Sequence, residues 1–335
     1  MDFVKAVEMI RAAESVVITT HTRPDGDALG SVAALCEMIL ALAAKEKRRV
    51  RVQPLILSEP AESYGFLVRE GTWILGRDIT PEQVANGRLG DFDLAIVVDT
   101  AATRQLPEGV GEWLRDKARN LLVIDHHISG DIEGHHRLVD TTAAAAGEIV
   151  YWLSKRGPMP LSEKAAGALF SAISTDTGWF RFSNTSADTL MIAADLIHSG
   201  ADPADLYRRL FESNPIEKVR LTATTVDTLQ LHHRDRLATM QITQEMFKQT
   251  GTDRTHVENI VNIPLQVGSV QAVVLLVQIE EQVTRCSFRS KDVIDVNAVA
   301  GSFGGGGHKH AAGATLKLPI EQARQEVIAA FESIM

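Results

Sequence analysis

The sequence predicts an α/β protein in which a parallel-sheet N-terminal domain is joined by a helical linker to a smaller α+β domain. Three observations predict it. Short apolar runs such as Leu94–Val98 and Leu121–Ile124 alternate with helical stretches, the pattern of strands buried on both faces of a parallel sheet. Beyond residue 230 the strand-like segments cluster with few helices between them. At 335 residues the chain also exceeds the ~250–300 at which a single core stops growing. The expected boundaries are 1–190, 191–229 for the linker, and 230–335.

Taken in order, Phe3, Val4, Val7, Ile10 and Ala13 have helical spacing and predict an amphipathic helix over 2–14. The strand Val16–Thr20 follows, then the loop His21-Thr22-Arg23-Pro24-Asp25-Gly26-Asp27-Ala28-Leu29-Gly30, then a helix from Ser31. A second strand is expected at Arg49–Leu57 and a third at Leu94–Val98, ending at Asp99. The fourth, Leu121–Ile124, ends at Asp125-His126-His127. Helices are expected over Thr141–Lys155, where the run Ala143–Ala146 supplies helix propensity, and over Ser162–Thr175, which delivers Asp176 and stops at Gly178. Asn184-Thr185-Ser186 caps the helix that carries Met191 to His198, and Gly200, Pro203 and Pro215 break the linker. The second domain reads as a strand at Leu237–Thr243, an antiparallel pair at Val270–Ile279 and Thr284–Ser290, and a helix at Val293–Phe303. A strand at Ala314–Leu318 and a helix from Ile320 to Ser333 complete it.

Composition excludes several classes. A net charge of −9 disfavours sequence-independent binding of long nucleic acid, although metals and a few local cations can still receive a small anion. No uninterrupted apolar run approaches ~18 residues and the N-terminus lacks the form of a signal peptide, so a soluble, cytoplasmic protein without membrane partners is expected. The two cysteines, Cys36 and Cys286, have neither disulfide-framework nor metal-ligand spacing and read as packing residues.

The chemistry lies at the strand ends. His21, Asp25 and Asp27 combine one nitrogen with two carboxylates, a donor set suited to Mn²⁺, Zn²⁺, Fe²⁺ or Mg²⁺. Each of Asp99, Asp125-His126-His127 and Asp176 would alone read as a turn or cap. Their delivery to one edge of a sheet, where neighbouring strands lie only ~4.7–4.9 Å apart, predicts a metal site. His135, His136, His198, His232, His233 and His256 fall outside that pattern. The run Gly304–Gly307 before His308 permits close backbone approach to a phosphate, which a plain glycine linker would not need.

On these residues the chain resembles the DHH/DHHA1 phosphoesterases. Asp125-His126-His127 is the naming motif, and His21…Pro24-Asp25-Gly26-Asp27, Val98-Asp99-Thr100 and Thr175-Asp176-Thr177-Gly178 match the other metal motifs. Arg289-Ser290-Lys291 and the stretch Phe303–Gly313 match the phosphate-binding part of DHHA1. The likeness covers nearly the whole chain, and is greatest to the NrnA-type subgroup, bacterial enzymes that degrade very short RNAs and dephosphorylate 3′-phosphoadenosine 5′-phosphate.

The resemblance implies two ions, usually Mn²⁺ with Mg²⁺ or another divalent ion as substitute, one held by His21, Asp25 and Asp99 and the other by Asp27, Asp99, His126 and Asp176. It implies that Asp125 orients its neighbours, that His127 faces the scissile phosphate, and that Arg289, Ser290, Gly306, Gly307 and His308 grip the substrate's terminal phosphate and sugar. The implied reaction is hydrolysis of oligoribonucleotides and dinucleotides such as pApA by an activated water, of the 3′–5′ type with a ribose 3′-oxygen leaving, in a cleft that selects short substrates. Partners would be short RNA and nucleotides and no long duplex, and a homodimer is compatible. Rival readings are a cyclic dinucleotide phosphodiesterase, a single-strand DNA exonuclease resembling RecJ and, outside enzymes, a nucleotide sensor.

Overall fold

The computed structural model describes residues 1–335 apart from 117–119, 129, 158, 292–293 and 333, and apart from the side chains of Arg115 and His308. The chain divides into two units, Met1–Ser213 and Asn214–Met335.

In the first unit the elements are α1 (Phe3–Ala12), β1 (Ser15–Thr19), α2 (Gly26–Lys45), β2 (Arg51–Ile56), β3 (Trp73–Ile74), α3 (Pro81–Ala85) and β4 (Leu94–Val98). They continue as α4 (Glu108–Asp116), β5 (Leu121–Asp125), β6 (His136–Val139), α5 (Ala146–Arg156), α6 (Glu163–Asp176), α7 (Ala187–His198) and α8 (Pro203–Phe211). All six strands are parallel, in the order β3-β2-β1-β4-β5-β6. Both faces are covered, which is why the central strands are apolar at every position. Val16, Ile18, Ile96, Val98, Leu122 and Ile124 enter one core with α1, α2, α5 and α6, while Val17, Ala95, Val97, Leu121 and Val123 enter the other with α3 and α4. The chain direction across the sheet reverses between β1 and β4, and the carboxyl ends of strands at such a switch point are where open α/β sheets bind ligands.

Several boundaries differ from those the sequence predicts. The second helix begins at Gly26 rather than Ser31, because the Asp25 carboxylate accepts from the Ala28 amide at 3.1 Å and caps it. A helix expected from Thr141 begins only at Ala146, so most of the alanine run is loop. Strands β3 and β6 went unforeseen: one has two residues, and the other is a half-exposed edge strand carrying His136 and Arg137. The expectation that no segment is apolar enough to span a bilayer also needs correction. α2 passes on length and a mean hydropathy of 1.7, its polar residues breaking the run in sequence but not in average, and 72% of that window is buried inside the fold.

The second unit comprises α9 (Ile216–Val226), β7 (Gln230–His232), β8 (Leu237–Ile242), α10 (Gln244–Thr250), β9 (Ala272–Glu280) and β10 (Val283–Ser290). After these come α11 (Val296–Ser302), β11 (Gly306–His308), β12 (Ala311–Leu316) and α12 (Ile320–Phe331). Its sheet runs β11-β12-β10-β9-β8-β7 and is antiparallel except for the β8–β9 pair. Val274, Leu276, Cys286 and Phe288 face α11 and α12 on one side, and Val273, Leu275 and Val277 pack with Leu221 and Phe247 on the other. The helices expected to form a linker over 191–229 are divided between the units, with α7 and α8 in the first and α9 in the second. Val293, where the helix before Phe303 was expected to start, and Ser333, the expected last helical residue, lie outside the described residues.

Candidate metal centre

β1 and β4 end side by side, and this places His21 against Asp99, with Nε2 to Oδ2 at 3.4 Å. β5 is the next strand over and delivers His126, whose Nε2 lies 3.4 Å from the other Asp99 oxygen. Two more carboxylates approach the same imidazole nitrogen: Asp27 from the first turn of α2 at 3.8 Å and Asp176 from the last residue of α6 at 3.7 Å. Asp99 therefore turns one oxygen toward each histidine. It does so from a left-handed backbone, φ +60°, a conformation that Asp tolerates better than most residues.

α2 and α6 cross closely enough to bring Asp27 and Asp176 together because glycines line the crossing. A Cβ on Gly30 would stand 2.5 Å from the Ala168 carbonyl oxygen and 2.9 Å from the Ala172 Cβ, and one on Gly26 would overlap the Thr175 side chain. The spacing of Gly26 and Gly30 thus serves helix packing, beyond separating the two carboxylates on either side of Gly26.

Backbone groups orient the donors. The Nδ1–H of His21 donates to the Thr22 carbonyl at 2.9 Å, and that of His126 to the Ala143 carbonyl at 3.2 Å, which leaves both Nε2 atoms facing Asp99. The Asp27 carboxylate accepts from the Ala146 and Gly147 amides at 2.6 and 2.9 Å, at the positive end of α5, and from Ser31 Oγ at 3.1 Å. The fully buried Asp125 accepts from the His126 amide at 2.9 Å and from His127 Nδ1 at 2.7 Å. His127 Nδ1 is thereby committed. A metal held by Asp99, His126 and His127, a grouping that distance alone would allow, would have to break that bond.

Three groups of ligand atoms lie within 4.8 Å of one another among the described residues, and two of them are His21, Asp25, Asp99 and Asp27, His126, Asp176. The electrostatics favour a cation there. Burial first, and Asp99 second, push the Asp27 carboxyl well above the usual range against the attraction of His126. Burial likewise moves Asp176 up to about 7 despite His126, with Asp25 and Asp99 adding repulsion. Burial opposes charge on the histidines, but the hydrogen bond to Asp99 and the surrounding carboxylates hold His21 up at about 10 and His126 at about 11. Burial would also raise Asp99, yet the two histidines pull it below the carboxylate range. Asp99 Oδ1 is buried and, apart from the loose 3.4 Å approach of His126 Nε2, meets no hydrogen-bond donor among the described residues. Imidazole nitrogens and carboxylate oxygens around such an atom fit a divalent cation.

The structure leaves His135, His136, His198, His232, His233 and His256 outside these clusters among the described residues. It draws in residues the sequence did not single out. Glu148, 6% exposed, accepts from the Ala144 amide at 3.3 Å and from Thr189 Oγ1 at 2.6 Å. Asn184, read as part of a helix cap, instead donates to the Ala144 and Asp176 carbonyls at 3.1 and 3.2 Å, and the cap is Ser186. The alanine run read as mere helix propensity holds the candidate ligands Asp27 and His126 through its backbone. Only a glutamate three residues past its loop, in capping position, hinted at this.

In the second unit, Arg289 and Ser290 end β10, and Gly306–His308 forms the edge strand β11 against β12. Gly305 and Gly307 are required by that packing, since a Cβ on either would overlap β12 backbone, whereas Gly306 is exposed and a Cβ there would make only ordinary contact with Asn297 Oδ1 at 3.7 Å. The Ser290 hydroxyl donates to the Ile294 carbonyl at 2.6 Å and accepts from His310 Nδ1 at 3.0 Å, so it fixes His310, which lies within the Phe303–Gly313 stretch but was given no role of its own from the sequence. Arg289 Nη1 donates to the Phe288 carbonyl at 2.9 Å. The side chain of His308 lies outside the described part of the molecule.

Residues 15–173 match the DHH family, N-terminal domain, and residues 236–335 match the DHHA1 domain. The chain is 30% identical over 305 residues to a probable bifunctional oligoribonuclease and PAP phosphatase NrnA of Streptococcus mutans, covering 91% of this chain and 90% of that protein. It is 29% identical to the bifunctional oligoribonuclease and PAP phosphatase NrnA of Bacillus subtilis, with 92% of each covered. Similarity extends to the cyclic-di-AMP phosphodiesterase PdeA of Listeria monocytogenes, at 27% over 97% of this chain and 48% of that protein. Among solved structures, an exopolyphosphatase-related protein from Bacteroides fragilis has the same fold, with a TM-score of 0.86 at 20% identity over 99% of this chain and 96% of that one.

Proposed function

The chain belongs to the DHH family and carries a DHHA1 domain, and on that footing we propose that it is a metal-dependent phosphoesterase. Its substrates are short oligoribonucleotides, dinucleotides such as pApA among them, cleaved to mononucleotides, and 3′-phosphoadenosine 5′-phosphate, cleaved to AMP; relatives of near-equal length carry both activities in their names. The observation that carries the reading is the pair of histidine–carboxylate clusters meeting at Asp99, whose two oxygens face His21 and His126.

His21, Asp25 and Asp99 would hold one Mn²⁺, and Asp27, Asp99, His126 and Asp176 the other. When bound, such a pair supplies an activated water and neutralises charge on the phosphoryl oxygens. The remaining chemistry belongs to the chain. The hydrogen bond from Nδ1–H to Asp125 orients the His127 ring, and as imidazolium it can donate to a phosphoryl oxygen as negative charge develops. Burial opposes that charge on His127, but the hydrogen bond to Asp125 and the charge of Asp99 raise its pKa above the ordinary histidine value. In the second unit Arg289, Gly306, Gly307 and His308 would hold the substrate's phosphate and sugar, with Ser290 acting through His310.

The test is one substrate panel under Mn²⁺, Mg²⁺ and chelator: RNAs of two, five and thirty nucleotides, 3′-phosphoadenosine 5′-phosphate, cyclic di-AMP and short DNA, with wild type and His126→Ala. Fast turnover of the dinucleotide and of 3′-phosphoadenosine 5′-phosphate, slow turnover of the long RNA, and loss of activity in the variant and in chelator are expected. Most activity surviving in His126→Ala would remove the metal assignment. Dominant cleavage of cyclic di-AMP would move the assignment to the activity named for PdeA, and failure to cleave any short phosphodiester would favour a sensor.

A further inference from the structure

Residues 143–147, Ala-Ala-Ala-Ala-Gly, bond two members of one metal cluster, His126 and Asp27, and are tied to a third, Asp176, through Asn184, without contributing a functional side chain. Ala143 receives His126 Nδ1, Ala146 and Gly147 donate to Asp27, and Ala144 shares the Asn184 amide with the carbonyl of Asp176. Gly147 also lacks room for a side chain, since a Cβ would stand 2.7 Å from the Ala172 Cβ and 3.4 Å from Asp27 Oδ1. Among the described residues the backbone makes only two turn bonds of its own here, from the Ala143 amide to the Asp140 carbonyl and from the Glu148 amide to the Ala145 carbonyl, and neither engages Ala144. Two side chains fix Ala144: Asn184 at its carbonyl and the buried Glu148 at its amide, with Glu148 itself held by Thr189 Oγ1. The other cluster uses different supports. His21 is oriented by the Thr22 carbonyl, and Asp25 is tied to the Ala28 amide.

We propose that Glu148 and Asn184 are positioning residues for the ion held by Asp27, His126 and Asp176, and that they set its affinity without setting that of the ion at His21 and Asp25. The inference deepens the two-metal reading above and rests on it. A buried carboxylate is costly unless its hydrogen bonds are satisfied, and here both of its oxygens accept, one from the Ala144 amide that fixes the segment and the other from Thr189. Gln at this position would keep both bonds, its oxygen accepting from Ala144 and its amide donating to Thr189. Ala would keep neither.

The experiment is a calorimetric Mn²⁺ titration of the full-length, metal-stripped protein, with manganese–manganese coupling followed by electron paramagnetic resonance and the metal-free melting temperature measured alongside. Wild type is expected to bind two coupled ions. Glu148→Ala and Asn184→Ala are expected to keep one ion at wild-type affinity and weaken the other about 10–100-fold, the usual effect of removing a group that orients a ligand, with the coupling lost at limiting metal. Glu148→Gln is expected to restore both. If Glu148→Ala does not fold, Asn184→Ala and Thr189→Val carry the test. Two unweakened ions in a folded Glu148→Ala or Asn184→Ala overturn the proposal, as does equal weakening of both ions or a Glu148→Gln as weak as Glu148→Ala. A wild type that binds fewer than two ions overturns the two-metal reading itself, an outcome visible before any variant is made.

Discussion

Asp176 shows how one residue can be poor for the apoprotein and good for the site. Burial and two neighbouring carboxylates lift its pKa from 3.8 to about 7, so the folded protein binds a proton there that the unfolded chain has released. Stability from such a group is present below its unfolded pKa and lost as pH rises through its folded one. For Asp176 that window runs from 3.8 to about 7, and for His21 and His126, raised from 6.5 to about 10 and 11, from 6.5 upward, so all three act in one direction. The metal-free melting temperature is expected to fall between pH 6 and 9, and the rise on adding Mn²⁺ to grow over the same interval, because binding displaces those protons. At pH 8 Asp176→Asn is expected to melt a few degrees above wild type without metal and to respond less to Mn²⁺. Differential scanning fluorimetry reads both, and a lower metal-free melting temperature in the variant would contradict the stated electrostatics.

At the scale of elements, the site depends on how closely α2 and α6 cross. Gly30→Ala places a methyl against the Ala168 carbonyl and Ala172, with no flexible side chain to yield, and is expected to cost about 1–3 kcal/mol in chemical denaturation. The variant should also bind Mn²⁺ more weakly, since Asp27 and Asp176 lie on the two helices being pushed apart. Gly167→Ala, in α6 with open space around it, provides the contrast and is expected to stabilise by about 0.5–1 kcal/mol. Much of this scale was legible in the sequence. β1, β4 and β5 announced themselves as apolar runs ending in His or Asp, because strands buried on both faces leave polar residues only at their tips. What was not legible follows from the same physics. The edge strands β3 and β6 bury too little to show an apolar pattern, the start of α2 is masked by the Pro24-Asp25-Gly26 turn signature, and residues 143–147 act through amide donors and carbonyl acceptors that nearly every residue possesses.

For the whole molecule, the two units have separate cores, the first built on both faces of a parallel sheet and the second on a sheet sandwiched by α11 and α12 on one side and α9 and α10 on the other. Leu221 of α9 is completely buried in the second of these. A fragment of residues 214–335 is therefore expected to unfold cooperatively by circular dichroism. One of residues 230–335, cut at the boundary the sequence suggested, is expected to be distinctly less stable because it exposes the surface that α9 covers. Equal stability of the two fragments would place α9 outside the second core. Composition pointed to two domains, but no apolar signal told whether α9 belonged to a linker or to a core, since only Leu221 and Thr225 of that helix are buried.

The segment 143–147 has a consequence for how this protein would be mapped by mutation. Four of its five residues are already alanine, so an alanine scan has almost nothing to change there and would score the stretch as inert. Its contributions are peptide groups, and only chemistry that edits peptide groups can detect them. Replacing the Ala146 amide by an ester through semisynthesis deletes the donor at 2.6 Å from Asp27 and leaves every side chain in place. A survey built on side-chain truncation would pass directly over the part of the chain whose backbone bonds Asp27 and His126.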